Sequence, residues 1–268
     1  MNMPAISDKE FTQFQQMIYN IAGISMAPSK KMLIGSRLAK RLVHHGVQSY
    51  GDYFHILQQG GTQGEMQVAV DLLTTNETFF FREEKHFEFL RNELLKIRMP
   101  GRPYRIWSAA CSYGQEPYTA AMVLADVLGD APWEVLASDI STRVLDRART
   151  GLYALEQAER IPKHYLSRYC LKGVGKHDGT FMVEPRLQKR IMFSQINLNQ
   201  QLPSTGEFDV IFLRNVMIYF DKDTKREVVA RLSAKLRKGG YLFIGHSESL
   251  NGFAGDLQAV RPAIYRKP

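Results

Sequence analysis

Residues 104–118 read YRIWSAACSYGQEPY, and their pattern is the strongest indication of the fold class in this chain. Its first part, from Tyr104 to Ala110, is mostly apolar and includes strong strand formers, so it predicts a buried β-strand. Small residues follow, and Pro117 occupies a position where proline opens a helix. A strand that passes into a helix across so short a turn indicates one unit of a parallel α/β sheet.

Three more apolar runs continue this alternation towards the carboxyl end. They predict strands at Trp133–Ser138, Phe208–Leu213 and Tyr241–Ile244, and a long amphipathic helix runs from about Lys222 to Arg237 before the last strand. We therefore expect an α/β fold with a parallel sheet that helices cover on both faces.

Residues 164–191 interrupt the alternation of strands and helices. Short strand-like pieces there flank a turn that contains Gly173, Gly175 and Gly179. Glycine in the turn between two short strands is typical of a hairpin. We therefore predict a small antiparallel β-subdomain, inserted into the sheet domain at about residues 164–191.

The first 73 residues contain helix signals and no strand pattern. Ser7 stands three residues before Glu10, which is the spacing of a capping box, and apolar residues then recur at helical spacing. Later helices are predicted around Tyr50–Leu57 and Thr62–Leu73. The chain thus divides into an all-α domain of residues 1–73, a linker of residues 74–103 with the motif Thr-Asn-Glu-Thr, and a sheet domain of residues 104–268.

Composition excludes several classes of protein. Of the 268 residues, 44% are hydrophobic and 23% are charged, as expected for a globular chain with a sizeable core. There is no run of about 20 apolar residues to cross a bilayer, and no export signal at the amino end. Cys111 and Cys170 supply neither a disulfide framework nor a structural zinc site. We expect a cytoplasmic protein without a metal and without direct membrane insertion, and nothing demands more than a monomer.

The charge indicates an acidic partner. The net charge is +8 and the sequence pI is about 9.4. Nucleic acid, an anionic membrane surface and a protein rich in acidic residues all suit such a surface. Charge alone does not choose among them.

The turn after the first strand and the acid after the second strand suggest a cofactor. The turn lacks the G-x-G-x-x-G fingerprint, so a dinucleotide pyrophosphate is not expected there. Asp139 stands about 25 residues beyond Gly114, where an acid binds the ribose diol in Rossmann-type sheets; alternatively, it caps the next helix beside Ser141. The first alternative favours a nucleoside cofactor without a pyrophosphate, and S-adenosylmethionine fits that description.

Two further polar segments stand at element boundaries. In the segment before Glu83, Asn76 or Thr78 is readily interpreted as a helix N-cap, which leaves Arg82 unexplained. Arg214 and Asn215 end the third strand, and polar side chains at the carboxyl end of a buried strand more often mark a site than a packing need.

Six blocks of this sequence resemble the signature blocks of the chemotaxis-receptor methyltransferases, the CheR family. They follow the order of the family over almost the whole chain, and several are long and chemically unusual. One position departs from the family, because Gln115 stands where a second acid is common before Glu116. The blocks are Thr75–Arg82, Ala109–Tyr118, Ala137–Ile140, Asn197–Leu198, Arg214–Asp221 and Gly245–Leu250.

The resemblance implies a fold and an activity. The fold would be a Rossmann-like S-adenosylmethionine domain with a small β-subdomain, preceded by a small helical domain. The activity would be transfer of the cofactor's methyl group to glutamate side chains of chemoreceptor signalling helices. The products would be glutamate methyl ester and S-adenosylhomocysteine.

The resemblance also assigns roles to residues. Glu116 would hold the amino group of the cofactor's methionine part, and Asp139 would hold the ribose. Arg82 would position the substrate carboxylate, and Tyr219 would help to orient the substrate. The implied cofactor contacts are Asn76, Thr78, Arg82, Glu116, Asp139, Asn197, Leu198, Arg214 and Asn215.

Two surfaces are predicted to bind the receptor. Lys30, Arg37 and Arg41 fall on one side of a second helix, which is predicted to open at Pro28 and Ser29, at about 100° per residue. This is either an ordinary solvated face or, as the resemblance implies, a docking face for acidic receptor helices. The turn with Gly173 and Gly175 resembles the β-subdomain of members that bind a C-terminal receptor pentapeptide, and an exposed strand edge accepts a peptide as an added strand.

Two alternatives stay open. A nucleic-acid methyltransferase suits the basic charge, but this chain lacks after Leu213 the Pro-Pro-Tyr/Phe type of motif that such enzymes often carry, so we expect no nucleic-acid partner. A module that binds S-adenosylmethionine or a receptor tail without turnover is opposed by the complete set of Arg82, Glu116, Asp139 and Arg214.

Overall fold

The computed structural model describes residues 4–60, 64–95 and 101–268. The first part of the described chain is an all-α domain. The start predicted for its last helix, Thr62, lies outside the described residues. Its helices are α1 (Asp8–Ala22), α2 (Lys31–His45), α3 (Tyr50–Gln58) and α4 (Glu65–Leu73).

A capping box starts α1, as predicted. The Ser7 hydroxyl accepts a hydrogen bond from the Glu10 amide at 3.3 Å, and the Glu10 carboxylate accepts one from the Ser7 amide at 2.8 Å. Phe14 and Ile18 then face inward and pack, fully buried, with Leu38 of α2. The helical spacing of apolar residues therefore builds the core of this domain.

The rest of the described chain alternates between helices and strands. The helices are α5 (Lys85–Phe89), α6 (Gln115–Leu128), α7 (Thr142–Thr150), α8 (Lys163–Tyr169), α9 (Pro185–Gln188) and α10 (Lys222–Lys235). The strands are β1 (Tyr104–Ala109), β2 (Trp133–Asp139), β3 (Leu152–Ala154), β4 (Cys170–Lys172), β5 (Thr180–Val183), β6 (Ile191–Gln195), β7 (Phe208–Leu213), β8 (Leu236–Ile244), β9 (Gln258–Arg261) and β10 (Ile264–Arg266).

Seven strands form the main sheet, in the order β6-β2-β1-β7-β8-β10-β9. The first five run parallel, and four of them were predicted; β6, which follows the predicted insertion, was not. Strands β10 and β9 are antiparallel to their neighbours. Only two residues separate β9 from β10, and a connection that short joins antiparallel strands. The sheet is therefore mixed: the predicted parallel sheet is extended at this edge by two antiparallel strands that the sequence did not predict.

Helices cover both faces of the main sheet, as predicted. Successive side chains of a strand point to opposite faces, so Ile106 of β1 packs in the core that contains Val123 of α6. Its neighbour Trp107 packs in the core that contains Leu232 of α10. The fold is Rossmann-like and is confirmed as an α/β class.

The segment between the two domains packs against the sheet. Its helix α5 begins at Lys85, so the interpretation of Asn76 or Thr78 as a helix N-cap was wrong. Phe87 of α5 stacks on Phe212 of β7, with ring centres 5.5 Å apart. This contact fixes the chain that follows Arg82 against the carboxyl half of the sheet.

The small antiparallel subdomain is a three-stranded sheet in the order β3-β5-β4. Its first strand, β3, precedes the range predicted for the subdomain, and helix α8 stands between β3 and β4. Gly173 closes the turn after β4, where its amide donates to the Thr180 carbonyl at 2.9 Å. Strands of three residues carry little periodic signal, which explains why the sequence did not predict β3.

Within the described ranges, no helix combines the length and the apolar character that a membrane span requires.

Candidate active site

A cavity of about 390 Å³ opens at the carboxyl ends of β1, β2 and β7, where the all-α domain meets the sheet. Ligands of open α/β sheets bind at this edge. The structure brings the predicted cofactor and catalytic residues to the walls of this one cavity. They are Asn76, Thr78, Arg82, Glu116, Asp139, Asn197, Leu198, Arg214, Asn215 and Tyr219.

The turn after β1 is a tight and strained one. Ala110 and Ser112 both have positive φ angles, 66° and 50°, which side chains rarely adopt. Gly114 follows with φ 90°, and a Cβ atom there would lie 2.9 Å from the Cβ of Ala148. Strain of this kind is typical of functional sites, and it points the amide of Ser112 towards Asp139.

Asp139 ends β2 with its carboxylate buried. One oxygen accepts from the amide of Ser112 at 2.8 Å, and the other accepts from the amide of Ser141 at 2.9 Å. Burial raises the pKa of Asp139, while these amides act in the opposite direction. Ser141 is the N-cap of α7, so the capping alternative applies to Ser141. The remaining lone pairs of Asp139 suit the hydroxyl donors of a ribose.

Glu116, in the first turn of α6, is paired with Arg214 at the end of β7. One Glu116 oxygen accepts from the Ser108 hydroxyl at 2.6 Å, and the other accepts from Nη1 of Arg214 at 2.9 Å. Burial raises the pKa of Glu116, and the nearby Arg214 charge opposes that shift. A buried ion pair at the ends of β1 and β7 offers both signs of charge to a ligand.

Two acids that the sequence analysis did not single out hold this site together. Glu83 accepts from Nη2 of Arg214 at 3.1 Å and from Nδ2 of Asn215 at 3.2 Å. Glu248 accepts from the amides of Gly245 and Asn215, at 2.6 and 2.9 Å. Glu83 directly follows one of the blocks that resemble the family and Glu248 lies inside another, and this position was the only indication of a role in the sequence. Their partners are distant in sequence, so spacing did not reveal them.

The segment before Glu83 is pinned to the β1 turn. The Ser112 hydroxyl donates to the Asn76 carbonyl at 2.7 Å. Arg82 donates from Nη1 to the Glu77 carbonyl at 2.9 Å, and its guanidinium lies 5.6 Å from the ring centre of Phe79. Arg82 is thereby held, partly exposed, at the wall of the cavity.

Two predicted site residues also join the all-α domain to the sheet. Nδ2 of Asn197 donates to the Ile21 carbonyl at 2.6 Å, and the carbonyl of Tyr219 accepts from the Ser25 amide at 2.7 Å. The all-α domain therefore forms one wall of the cavity.

Two of the three residues predicted to dock the receptor on α2 are bound to acceptors of this chain. Arg37 donates to the carbonyls of Leu73 and Thr74, each at 3.1 Å. Arg41 makes two bonds, of 2.8 and 2.5 Å, to the buried carboxylate of Glu65. Of the three predicted residues only Lys30 is exposed. The prediction did not separate it from Arg37 and Arg41, because a helical projection does not include the acceptors that other elements supply.

The two glycines predicted for tail binding differ in their surroundings. They lie in the turn between β4 and β5 of the small sheet and not at the cavity. A Cβ atom on Gly173 would come within 2.0 Å of the His177 carbonyl oxygen, whereas one on Gly175 would meet open space.

Three side chains of metal-binding types meet behind Arg214, although the histidine spacing predicted no metal site. Ligand atoms of Glu83, His86 and His246 lie within 4.8 Å of one another. The Glu83 oxygens already accept from Arg214, Asn215 and the His246 amide. We therefore interpret this cluster as a hydrogen-bonded support of the site.

Two sequence models of protein-family domains match the chain. Residues 9–74 match the all-alpha domain of CheR methyltransferase, and residues 76–265 match the SAM binding domain of CheR methyltransferase.

Individual relatives are similar over nearly the whole chain. The chemotaxis protein methyltransferase of Escherichia coli is 43% identical over 250 residues, which cover 92% of this chain and 86% of that protein. The chemotaxis protein methyltransferase of Salmonella typhimurium is 40% identical over 264 residues, or 97% and 91% of the two chains. Chemotaxis protein methyltransferase 2 of Pseudomonas aeruginosa is 42% identical over 260 residues, or 96% and 92%.

Similarity to a solved structure is much weaker. The glycopeptide N-methyltransferase MtfA in complex with S-adenosylmethionine is 17% identical, with a TM-score of 0.37, and covers 64% of this chain and 58% of that chain. An overlap of this size does not bear on function. The two family models and the relatives that are similar over nearly the whole chain show that this chain belongs to the CheR methyltransferase family.

Proposed function

We propose that this protein transfers the methyl group of S-adenosylmethionine to glutamate side chains of chemoreceptor signalling helices. The cavity carries the proposal, because the carboxylates Glu116 and Asp139 meet the arginines Arg82 and Arg214 there. Relatives that are chemotaxis methyltransferases support the same reaction.

The residues of the cavity fit this cofactor. A volume of about 390 Å³ lies in the range of small-molecule sites. Asp139 offers acceptor oxygens to ribose hydroxyls, while Glu116 and Arg214 offer opposite charges to the amino and carboxylate groups of the methionine part. The bound cofactor supplies an electrophilic methyl group on a sulfonium.

A glutamate substrate needs no general base. The ordinary pKa of its side chain is about 4.3, so at neutral pH the carboxylate is already a nucleophile. The protein's task is to align one carboxylate oxygen with the methyl group and to remove water around it. Alignment of two reactants can lower a barrier by about 7–11 kcal/mol.

Arg82 is the residue that we propose holds the substrate carboxylate. Its bond to the Glu77 carbonyl orients the guanidinium at the cavity wall. Charge-assisted hydrogen bonds contribute about 1.5–3 kcal/mol each, and a stronger grip would weaken the nucleophile. Arg82 therefore positions the carboxylate and does no acid–base chemistry, and Tyr219 at the same wall helps to orient the substrate.

We further propose that acidic receptor helices dock beside the mouth of the cavity. Lys30 lines the cavity and is exposed, and Lys40 and His44 extend this exposed basic surface along α2. Arg37 and Arg41 contribute by holding α2 against α4, Arg37 at the last residue of α4 and Arg41 at its first, Glu65.

A receptor's C-terminal pentapeptide is proposed to bind the small sheet. Strand β4 is an edge strand there, and an edge accepts a peptide as an added strand. Gly173 shapes the turn that follows β4, and Gly175 leaves the loop beyond it open. We propose that the protein works as a cytoplasmic monomer, with residues 1–73 as the docking domain, 74–103 as the linker and 104–268 as the catalytic domain.

Calorimetry and a methyl-transfer assay test the proposed function together. S-adenosylmethionine and S-adenosylhomocysteine should both bind, and Asp139→Ala should weaken both. A labelled methyl group should pass to a receptor signalling domain in an alkali-labile form, as expected for an ester, and Ala at the receptor's target glutamates should abolish transfer.

Each failure of this experiment has a distinct meaning. Binding without transfer would support a module that only senses the cofactor, and label that enters RNA or DNA would support a nucleic-acid methyltransferase. Normal turnover by Arg82→Ala would contradict the role of that residue. Absence of binding would remove the enzyme hypothesis.

A further inference from the structure

Arg214 is shared by two carboxylates, of which only one faces the cavity. Its Nη1 donates to Glu116 at 2.9 Å, and its Nη2 and Nε donate to Glu83 at 3.1 and 3.3 Å. Glu116 lines the cavity, whereas Glu83 contacts Arg214 from outside the lining. The side chain of Arg214 is only 2% exposed, and each carboxylate side chain is 13% exposed.

The charges of this group do not cancel. Two carboxylates and one guanidinium leave one negative charge in excess. Burial raises the pKa of Glu83, but the Arg214 charge and the His246 amide outweigh it and hold that pKa below its usual value. Since a buried charge without a partner is costly, the group favours a second cation in the cavity beside Glu116.

Glu83 is fixed in its place from several sides. Its second oxygen accepts from Nδ2 of Asn215 and from the amide of His246, at 3.2 and 3.1 Å. The buried ring of His86 lies beside it, with Nδ1 at 3.5 Å from the carboxylate. Its backbone has a φ of 56°, in the left-handed region that residues with a side chain rarely adopt. Strain and convergent donors of this kind are typical of functional positions.

We propose that Glu83 is a positioning residue that determines specificity for the amino group of the cofactor. It pairs with Arg214 from behind, so that the charge of Glu116 is left for the ammonium of the methionine part. Without the charge of Glu83, Arg214 and Glu116 would neutralise each other. The inference rests on the proposed function, in which the methionine part of S-adenosylmethionine lies beside Glu116.

Three ligands and two variants test this inference by calorimetry. The ligands are S-adenosylhomocysteine, its analogue without the amino group, and 5′-methylthioadenosine, which lacks the whole amino-acid part. The variants are Glu83→Gln and the matched control Glu84→Gln, which removes the same charge from the exposed side chain of the next residue.

Glu83→Gln should weaken S-adenosylhomocysteine binding about tenfold, the size of one charge-assisted interaction. The preference for S-adenosylhomocysteine over the deaminated analogue should fall by a similar factor, because the ammonium loses its partner. The affinity for 5′-methylthioadenosine should not change, and Glu84→Gln should retain the affinities of the parent for all three ligands.

The opposite results are equally informative. An unchanged preference for the amino group in Glu83→Gln would overturn the inference. An equal loss for all three ligands would overturn it too, because Glu83 would then only maintain the fold. If the parent binds none of the three ligands, the proposed function itself fails, and that result differs from a parent that binds but does not depend on Glu83.

Discussion

His86 shows at the scale of one residue how burial beside the site links stability to pH. Both of its ring nitrogens are buried, and neither has a hydrogen-bond partner within the described ranges. Burial and the nearby Arg214 charge lower its pKa from 6.5 to about 3. Below pH 6.5 the imidazole of His86 becomes protonated in the unfolded chain, whereas in the folded chain it stays neutral until the pH approaches 3. The contribution of neutral His86 to the free energy of unfolding is therefore fully present above pH 6.5, and it is lost as the pH falls from 6.5 towards 3.

His86→Phe should remove this part of the acid sensitivity. Between pH 7 and pH 5, the free energy of unfolding of the parent should fall by about 2 kcal/mol more than that of the variant, since one pKa unit equals about 1.4 kcal/mol. Urea denaturation of both proteins at the two pH values measures the difference. Equal changes in the two proteins would contradict a neutral His86 in the folded state.

At the scale of elements, the first amides of helix α7 donate hydrogen bonds to a carboxylate of the all-α domain. Asp71 of α4 accepts from the amides of Thr142 and Arg143, at 3.0 and 3.2 Å, and from the Thr142 hydroxyl at 2.9 Å. The first amides of a helix lack partners within the helix and favour a negative charge. Asp71 therefore fixes the all-α domain next to the loop that follows Asp139.

Asp71→Asn should lower the free energy of unfolding by about 1–2 kcal/mol, because the variant loses the charge and part of the hydrogen bonding at this helix start. Asp146→Asn is the matched control, since it removes an acid from α7 itself, at a side chain that is 73% exposed. It should change stability by less than about 0.5 kcal/mol. Equal losses in urea denaturation would argue against a capping role for Asp71.

The turn after β4 should respond differently to alanine at its two glycines. A Cβ atom on Gly173 would press on the His177 carbonyl, so Gly173→Ala must displace the backbone. Gly175→Ala meets open space and carries only the strain of a φ of 59°, about 1–2 kcal/mol. Hydrogen exchange over residues 170–183 should accelerate more for Gly173→Ala. The reverse order would show that the turn is held by something other than this close contact.

At the scale of the whole molecule, the all-α domain is tied to the sheet on the side where the cavity opens. Tyr19 donates to Asp221 at 2.6 Å, and Ile24 pairs with Phe220 as an antiparallel bridge. Basic side chains beside this junction are therefore close to the cavity, and a charged partner docked there would approach Arg82.

Lys40→Glu should weaken receptor methylation, because it replaces an attractive charge for an acidic receptor helix by a repulsive one. We expect kcat/KM for a receptor signalling domain to fall about threefold or more at low salt, and to recover as salt screens the surface. Lys238→Glu is the matched control, since it reverses an exposed charge at the start of β8, across the sheet from the cavity. A loss that persists at high salt, or an equal loss in the control, would contradict docking on α2.

Features that depend on neighbours along the chain could be predicted from the amino-acid sequence. The strand predicted at Phe208–Leu213 matches β7 at both ends, and the Ser7 capping box forms, because apolar periodicity and end groups act over a few residues. Motifs also predicted the CheR family and the α/β fold class, and both are confirmed. The residues of those motifs meet at one cavity because parallel strands end at one edge of a sheet.

The pairing of charges from distant parts of the chain depends on the folded structure and could not be predicted from the sequence. Arg41 was predicted as a surface charge, yet Glu65 of another helix binds it internally. Glu83 was not singled out from the sequence, yet it supports Arg214 at the end of β7. The free energy of a buried charge depends on the partners that the fold brings to it, and spacing along the chain does not contain that information.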